Sequence, residues 1–377
     1  MKGTILYVGN FELPDKGASA NRVVSNGKLF QKLGYKVAYL GIQKQSEFSG
    51  IQVLEAERSM YVEAYPKEVK QWFLHMCSVQ NIMKLIHQQG DVCMVILYNV
   101  PYILLKRVKH ALRKTDIHVV YDCTEWTGVT DGSKIKKIVK RIDEYFIRTK
   151  IADTADGMLV ISKRMEQAYG NKKPLLRIPP LIDIKDEIWH QELEKENKAF
   201  EFCFAGILDG NKESLDVIVE AFGKLREEDV VLRIIGVTEQ EFCDFYPNGR
   251  KLLENSREKI CFMGRLSHRE TIRYVKHCDC YIFIRQDDIR NNAGFPTKFS
   301  ESYSCCMPII ATDISDIKWY MTKRTRGSVL SASSVEAVAE AMQKEVKQGK
   351  RTEKDIMDAT FHYETYEEVC AKWLKNF

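Results

Sequence analysis

The sequence is poor in the features that mark secreted, membrane-spanning and fibrous proteins. Its longest clean apolar run, Val92–Tyr98, is far shorter than the roughly 20 residues needed to cross a bilayer. No signal-peptide pattern precedes the strand-like run that begins at Ile5. There is no low-complexity tract and no repeat of solenoid length. We therefore expect a cytoplasmic protein whose eleven cysteines are reduced thiols.

Several motifs that would define a site at once are also missing. Neither the Gly-x-Gly-x-x-Gly dinucleotide fingerprint nor the P-loop spacing occurs. No zinc finger, basic zipper or aromatic RNA-binding signature is present, so nucleic acid is not an expected partner. No two cysteines have the C-x₂-C spacing of a zinc ribbon, and no His-Glu-x-x-His motif occurs, so no metal site is expected.

Charge is distributed unevenly along the chain. The formal net charge of +5 is the balance of +10 over residues 1–184 and −5 over the remainder. A basic N-terminal half favours an anionic partner on that half, such as a phosphate group or an acidic lipid surface.

Short β-rich runs alternate with helix-length segments in two successive series. The runs are Ile5–Val8, Val37–Leu40, Val92–Tyr98, His118–Tyr121 and Met158–Ile161, then Phe202–Gly206, Val230–Ile235, Ile260–Met263, Cys280–Ile284 and Ile309–Ala311. This alternation predicts an α/β protein with two doubly wound parallel sheets. Pro179 and Pro180 lie between the series and can continue neither a helix nor a central strand, so we predict domains at about 1–184 and 185–358.

The most informative segment ends at Glu301. Pro296 suits the first position of a helix, and the amide groups of that first turn, together with the helix dipole, form an anion site. Lys298 and Glu301 are three residues apart and share one helix face. A lysine there can neutralise phosphate, and a carboxylate one turn deeper can accept hydrogen bonds from sugar hydroxyls. The alternative is a solvated Lys–Glu pair on an ordinary helix.

Taken in order, the motifs resemble those of the retaining glycosyltransferases of family 4. Members have the GT-B fold, in which two Rossmann-like domains face each other across a cleft and a C-terminal helix crosses back. In the family, two glutamates separated by seven residues precede a Gly-x-Pro-Val-Ile-Ala-Thr strand. The matching segments here are Gly17–Gly34, Ala155–Ser162, Ile178–Pro180, the loop from Gly206 to Lys212, Gly264–Leu266, Gly294–Glu301 and Met307–Asp313.

The resemblance implies that the second domain binds a nucleotide-diphosphate sugar, UDP- or GDP-linked, without a metal or other cofactor. Glu301 matches the second glutamate, which holds the ribose hydroxyls. Ala293 stands where the first glutamate belongs, so the usual side-chain contact to the donor sugar is absent. The backbone that would face the donor sugar and its diphosphate belongs to Gly294, Phe295, Pro296 and Thr297.

The resemblance also implies a set of cations around the diphosphate. The family loop that begins at Gly206 normally carries an arginine and a lysine; Lys212 is kept, but Ile207 replaces the arginine. We expect Arg285, at the end of a strand, to supply the missing charge together with Lys298. The alternative for Arg285 is a structural ion pair with Asp287 or Asp288.

In the first domain, small residues around Gly17 open a helix and let backbone approach a ligand. Asn21 and Arg22 could reach the donor or the acceptor. The alternative is that this segment only starts the helix, with Ser19 as its cap. Asp122 and Glu125, at and after the end of the His118–Tyr121 strand, are the polar candidates near the sugar, and Glu125 is the favoured one. Trp126 beside it is either a wall for sugar stacking or part of the core.

The resemblance implies a glycosyltransferase that retains anomeric configuration and takes a saccharide or polyprenyl-linked acceptor in bacterial surface-polysaccharide synthesis. The competing interpretations are a non-catalytic nucleotide-sugar-binding protein of the same fold and a GT-B epimerase or phosphorylase. A dehydrogenase is opposed by the missing glycine fingerprint.

Two amphipathic helices complete the expectations. Residues 133–152 combine an apolar face with seven basic residues, a pattern typical of a helix on anionic lipid, which adds the inner face of the cell membrane as a site of peripheral association. The alternative is a core-packed helix with a solvated charged face. Residues 359–377 form the second helical segment, which we expect to return to the N-terminal domain.

Overall fold

The computed structural model describes the chain except residues 1, 45–47, 127–133, 171, 192–197, 209–212 and 353, and the side chains of 69 and 134–136. The chain forms two compact units. The first consists of Met1–Ile182, Ala293–Phe295 and His362–Phe377, and the second of Asp183–Asn292 and Pro296–Phe361. The division at residue 182 lies two residues before the predicted boundary.

Described residues of the first unit contain an eight-stranded sheet. Its strands are β1 Thr4–Gly9, β2 Lys36–Gln43, β3 Ile51–Glu55, β4 Met60–Ala64, β5 Val92–Tyr98, β6 His118–Cys123, β7 Gly157–Val160 and β8 Leu175–Arg177. They are ordered β3-β4-β2-β1-β5-β6-β7-β8, and every neighbouring pair is parallel except β3–β4. The helices of this unit are α1 Gly17–Lys32, α2 Val69–Cys77, α3 Gln80–Gln89, α4 Tyr102–Ala111, α5 Lys134–Thr154, α6 Lys163–Tyr169 and α15 Glu367–Leu374.

Described residues of the second unit contain a six-stranded, wholly parallel sheet. Its strands are β9 Phe200–Ala205, β10 Val230–Ile235, β11 Ile260–Gly264, β12 Cys280–Phe283, β13 Ile309–Thr312 and β14 Ser328–Leu330, in the order β11-β10-β9-β12-β13-β14. Its helices are α7 Leu215–Gly223, α8 Glu239–Phe245, α9 Gly249–Leu253, α10 His268–His277, α11 Ile289–Ala293, α12 Thr297–Ser304, α13 Ile317–Met321 and α14 Val335–Gln348.

Both sheets are doubly wound, which confirms the predicted fold class. In the second sheet the strands follow one another as 3-2-1-4-5-6, the order typical of nucleotide-binding α/β folds. In the first sheet the order likewise reverses between β1 and β5. Ligands of such sheets bind beyond the carboxyl ends of the strands at the point of reversal. We therefore expect the functional side chains to follow the ends of β1 and β5 in the first unit and of β9 and β12 in the second.

The last helix of the chain packs on the first unit. Cys370, Trp373 and Leu374 of α15 are buried in the same apolar cluster as Leu176 of β8 and Ile178. Since Val369 on the same helix remains 48% exposed, α15 buries one face only.

Candidate functional site

Glu301 of α12 is a buried carboxylate that contacts two basic side chains. Its Oε2 lies 2.9 Å from Nζ of Lys298, one turn earlier on the same helix, as the spacing predicts. Its Oε1 lies 2.9 Å from Nε2 of His268 at the first position of α10. The Glu301 side chain is only 3% exposed, whereas those of Lys298 and His268 are 28% and 26% exposed. A solvated surface pair is thus not what the structure shows.

The ionisation of Glu301 reflects this surrounding. Burial by itself would raise the pKa of the carboxyl, but the charge of Lys298 and the contact with His268 outweigh burial and lower the pKa to about 2. Oε2 is buried and, apart from its ion pair with Lys298, has no hydrogen-bond partner among the described residues. Glu301 is therefore a fixed carboxylate with remaining capacity to accept a hydrogen bond.

Arg285 follows β12, at the point where the order of the second sheet reverses. Its guanidinium donates to Glu213 Oε1 at 2.7 Å and lies over the Phe283 ring, 4.4 Å from the centroid. The two charged side chains are 16% and 8% exposed. The sequence offered an ion pair of Arg285 with Asp287 or Asp288 as the alternative to a role at the diphosphate. The structure shows an ion pair with Glu213 instead.

The Arg285–Glu213 pair is incompletely satisfied. Within the described part of the chain, Nε of Arg285 and Oε2 of Glu213 are buried without hydrogen-bond partners. Buried polar groups normally find partners, because a missing hydrogen bond costs about 1–3 kcal/mol. This local deficit, at the ligand-binding edge of the sheet, favours a functional role for the pair.

The backbone at Gly206, directly after β9, is closely surrounded. A Cβ there would lie 2.2 Å from Glu213 Oε2, so a side chain would fit only if Glu213 moved. Gly236, at a φ of +97°, passes so near that its own Cβ would lie 2.0 Å from the Gly206 carbonyl oxygen. Ile207 is 61% exposed, and Lys212 lies outside the described residues. Gly206 therefore contributes to packing, in addition to its predicted role in binding the nucleotide-sugar donor.

The segment before α12 is divided between the units. Ala293, Gly294 and Phe295 belong to the first unit, where Ser162 Oγ donates to the Ala293 carbonyl oxygen at 2.6 Å. Pro296 is the N-cap residue of α12, whereas the sequence predicted it at the first helical position. The helix itself begins at Thr297. No side chain caps this helix start among the described residues.

Arg22, on α1 of the first unit, is an internal residue. It is 2% exposed, donates to both carboxylate oxygens of Asp122, with Nη2 to Oδ1 at 2.8 Å, and donates to the Ile178 carbonyl oxygen at 2.8 Å. Tyr7 also donates to Asp122. These contacts hold α1, β1, β6 and the segment after β8 together, a structural role that the sequence did not predict. The contact of Arg22 with a donor or acceptor stays a prediction.

The other candidates of the first unit are more accessible. Gly17 begins α1 at a φ of +83°, in the left-handed region that favours glycine, and Asn21 is half-buried. Glu125 is exposed and lines a cavity at the carboxyl edge of the sheet. Trp126 belongs to the core, since it is 5% exposed and its Nε1 donates to the Tyr169 hydroxyl at 2.9 Å.

Residues 185–359 match the family model described as glycosyl transferases group 1. The similarity to this family covers most of the second unit. No curated protein sequence matches the chain.

Solved structures share the fold of the whole chain. Sucrose-phosphate synthase (tll1590) from Thermosynechococcus elongatus is 14% identical with a TM-score of 0.73, over 99% of this chain and 98% of the other. Anabaena Alr3699/HepE in complex with UDP-glucose is 12% identical with a TM-score of 0.66, over all of both chains. The lipopolysaccharide outer core galactosyltransferase WaaB is 15% identical with a TM-score of 0.61, over 99% of each. The fold is thus GT-B.

His268 and Glu213 could not be identified as site residues from the sequence. His268 follows the Gly264–Leu266 segment of the resemblance by two residues, which was the available signal. Ser267 and Glu270 form a capping box that begins α10 there and fixes the histidine at the helix start. Glu213 carried no signal, because its contact with Arg285 spans 72 positions of sequence.

Two further findings concern metals and membranes. In the described portion of the chain, no group of three or more His, Cys, Asp or Glu side chains is arranged to hold a metal ion. Among the helices of the same portion, none has the length and apolarity that a membrane crossing requires.

Proposed function

We propose that the protein transfers a sugar from a nucleotide-diphosphate donor, UDP- or GDP-linked, to a saccharide or polyprenyl-linked acceptor, with retention at the anomeric carbon. The observation that carries the proposal is the buried carboxylate of Glu301, fixed between Lys298 and His268 in a domain that matches the group 1 glycosyl transferase family. Since a carboxylate only accepts hydrogen bonds, its partner in the ligand is a set of donors. Vicinal ribose hydroxyls are such a set.

The cations around Glu301 suit the rest of a nucleotide. Lys298 Nζ is partly exposed at the start of α12, and a helix start favours a negatively charged group. Arg285 adds positive charge near the carboxyl end of β12. Lys212, outside the described residues, is the further cation that the resemblance implies. Negative charge grows on the diphosphate as the bond to the sugar breaks, so fixed cations stabilise the transition state more than the bound donor. The proposed reaction uses no metal and no protein nucleophile.

UDP is the preferred nucleotide of the proposal. The structure of Alr3699/HepE was solved with UDP-glucose, and WaaB is named a lipopolysaccharide outer core galactosyltransferase. The first favours a nucleotide sugar as donor, and the second favours a role in bacterial surface-polysaccharide synthesis.

The second part of the proposal is that the protein associates peripherally with the inner face of the cell membrane. Helix α5 exposes Ile138, Ile142 and Tyr145, at 58%, 53% and 60%, along one stripe. Lys137 and Arg141 stand on the same helix beside this stripe. An apolar stripe flanked by basic residues suits a helix that lies on anionic lipid.

A panel of UDP- and GDP-sugars tests the proposed reaction. The protein should release the nucleotide from one donor, by slow hydrolysis alone and faster with an acceptor, and proton NMR of the product should show the donor's anomeric configuration. An inverted product would contradict retention. Tight nucleotide binding without hydrolysis or transfer for any donor would favour the non-catalytic alternative, which Ala293 and Ile207 support because two usual ligand-binding side chains are missing.

A further inference from the structure

The first unit contains a cavity of about 390 Å³ at the carboxyl edge of its sheet. Gly9 and Asn10 line it at the end of β1, and Tyr98 and Asn99 line it at the end of β5, on both sides of the point where strand order reverses. Its volume falls in the range of sites for small molecules, about 300–1,000 Å³. Every lining residue belongs to the first unit.

Aromatic side chains form part of its wall. Trp72 Nε1 of α2 donates to the Tyr65 hydroxyl at 3.0 Å, which holds both rings in place. The Tyr65 ring contacts the His75 imidazole edge-on, with centroids 5.8 Å apart. Rigid aromatic rings with polar atoms at their edges suit the mixed apolar and hydroxyl surface of a sugar ring.

Carboxylates supply the polar part of the wall. Glu63 Oε2 accepts from Asn81 Nδ2 at 2.6 Å, and its Oε1 lies 3.7 Å from His75 Nε2. Asp143 Oδ1 accepts from the Tyr102 amide at 2.8 Å, whereas Oδ2 has no hydrogen-bond partner among the described residues. Burial raises the pKa of Asp143 to about 6, so the carboxylate form still predominates at pH 7. Both carboxyls are thus held in place by their neighbours.

The charges that line the cavity are mainly negative. Glu63, Asp143 and Glu125 face it, against Lys140 and the imidazole of His75, which is paired with Glu63. Carboxylates accept hydrogen bonds from hydroxyl and ammonium groups and repel phosphate and carboxylate groups.

We propose that this cavity binds one sugar ring of the acceptor and selects a ring that is neutral or bears an amino group over one that bears a carboxylate or phosphate. This inference rests on the proposed function, since only a transferase has an acceptor. It adds the class of acceptor sugar, which neither the family nor the site of the second unit assigns.

Three probes that share one ring test the selection. Methyl glucoside, methyl glucosaminide and methyl glucuronide are titrated against the full chain at pH 7 by calorimetry or ligand-observed NMR. The glucuronide should bind at least threefold more weakly than the glucoside, and the glucosaminide at least as tightly as the glucoside. Absence of binding by all three, a glucosaminide weaker than the glucoside, or a glucuronide within threefold of it, would overturn the inference.

Variants test whether the probes occupy this cavity. Asp143→Asn should reduce the ratio of glucoside to glucuronide affinity at least twofold, because the amide keeps the Tyr102 contact without the charge. Glu63→Gln should do the same. Glu57→Gln, an exposed carboxylate of the first unit outside the cavity, should leave the ratio unchanged. An unchanged ratio in both cavity variants would place the probes elsewhere and overturn the inference.

Nucleotide titration of the same samples separates this inference from the proposed function. If UDP or GDP binds and sugar is transferred from a donor while the three probes show no selection, the inference fails and the proposed function stands. If neither nucleotide binds and no donor is used, the proposed function fails and the acceptor role falls with it, even where the probes are selected.

Discussion

Glu301 links the stability of the second unit to its proposed function. Its pKa of about 2 lies below the roughly 4.3 of a free glutamate. A lowered carboxyl pKa contributes stability that is fully present above the unfolded-state pKa and is lost as pH falls toward the folded-state pKa. The relevant window is therefore about pH 5 to pH 2.

Glu301→Gln should lower the free energy of unfolding at pH 7 by on the order of 2–3 kcal/mol, because the carboxylate between Lys298 and His268 is lost. The difference from the unsubstituted protein should shrink steadily below pH 5. Urea unfolding at pH 7, 5, 4 and 3 measures it. A difference that stays constant over this range would show that Glu301 is not ionised as described.

Arg285 is predicted to act on the diphosphate, and its pairing with Glu213 makes stability and activity separable. Arg285→Met leaves Glu213 buried and unpaired, so it should cost about 3–5 kcal/mol of stability and also lower kcat more than it raises KM. The double variant Glu213→Gln/Arg285→Met should recover much of the stability but none of the kcat. Recovery of both would show that Arg285 is structural only.

At the scale of elements, the C-terminal helix offers a matched pair of substitutions. Trp373 of α15 is 5% exposed in the first unit's core, and Val369 on the same helix is 48% exposed. Trp373→Ala should cost about 3–5 kcal/mol, while Val369→Ala should stay within about 0.5 kcal/mol. Thermal and urea unfolding compare the two. Equal effects of the two substitutions would refute the role of the helix in the first unit's core.

Helix α5 carries the membrane part of the proposal. Lys137→Glu/Arg141→Glu should abolish most co-sedimentation with vesicles that contain anionic lipid, because charge reversal opposes the surface potential. Lys84→Glu/Lys114→Glu changes net charge equally at exposed sites outside α5 and is the control. If both double variants lose binding equally, the attraction is general and α5 is not the contact. Unchanged binding by the α5 variant would refute the proposal outright.

The elements that could be predicted from sequence share one property. Val92–Tyr98 and Val230–Ile235 are strands at their predicted bounds because internal parallel strands are largely buried and leave segments rich in apolar residues. Ile51–Glu55 and Ser328–Leu330 were missed, since these edge strands are partly exposed and too short to leave such a run. Edge strands depend on their neighbours more than on their own composition.

For the whole molecule, the order of the predicted strands and helices identified the fold, whereas only part of the candidate site could be predicted. Lys298 and Glu301 could be paired because three residues on a helix fix their proximity. His268 and Glu213 are brought to Glu301 and Arg285 by the sheet order, over 33 and 72 positions of sequence, which no local pattern encodes. Arg22 illustrates the converse, since a basic residue in a matching motif proved to be an internal partner of Asp122.

Nucleotide affinity decides whether the Glu301 carboxylate holds the ribose. UDP and GDP are titrated by calorimetry against the unsubstituted protein, Glu301→Gln, and Glu340→Gln, an exposed glutamate of α14 that serves as control. Glu301→Gln should weaken the nucleoside diphosphate and its sugar derivative equally, by about 1.5–3 kcal/mol, because the ribose contact is common to both. Glu340→Gln should leave both affinities unchanged. Unchanged nucleotide affinity in a folded Glu301→Gln variant would contradict the account and move the nucleotide site elsewhere in the molecule.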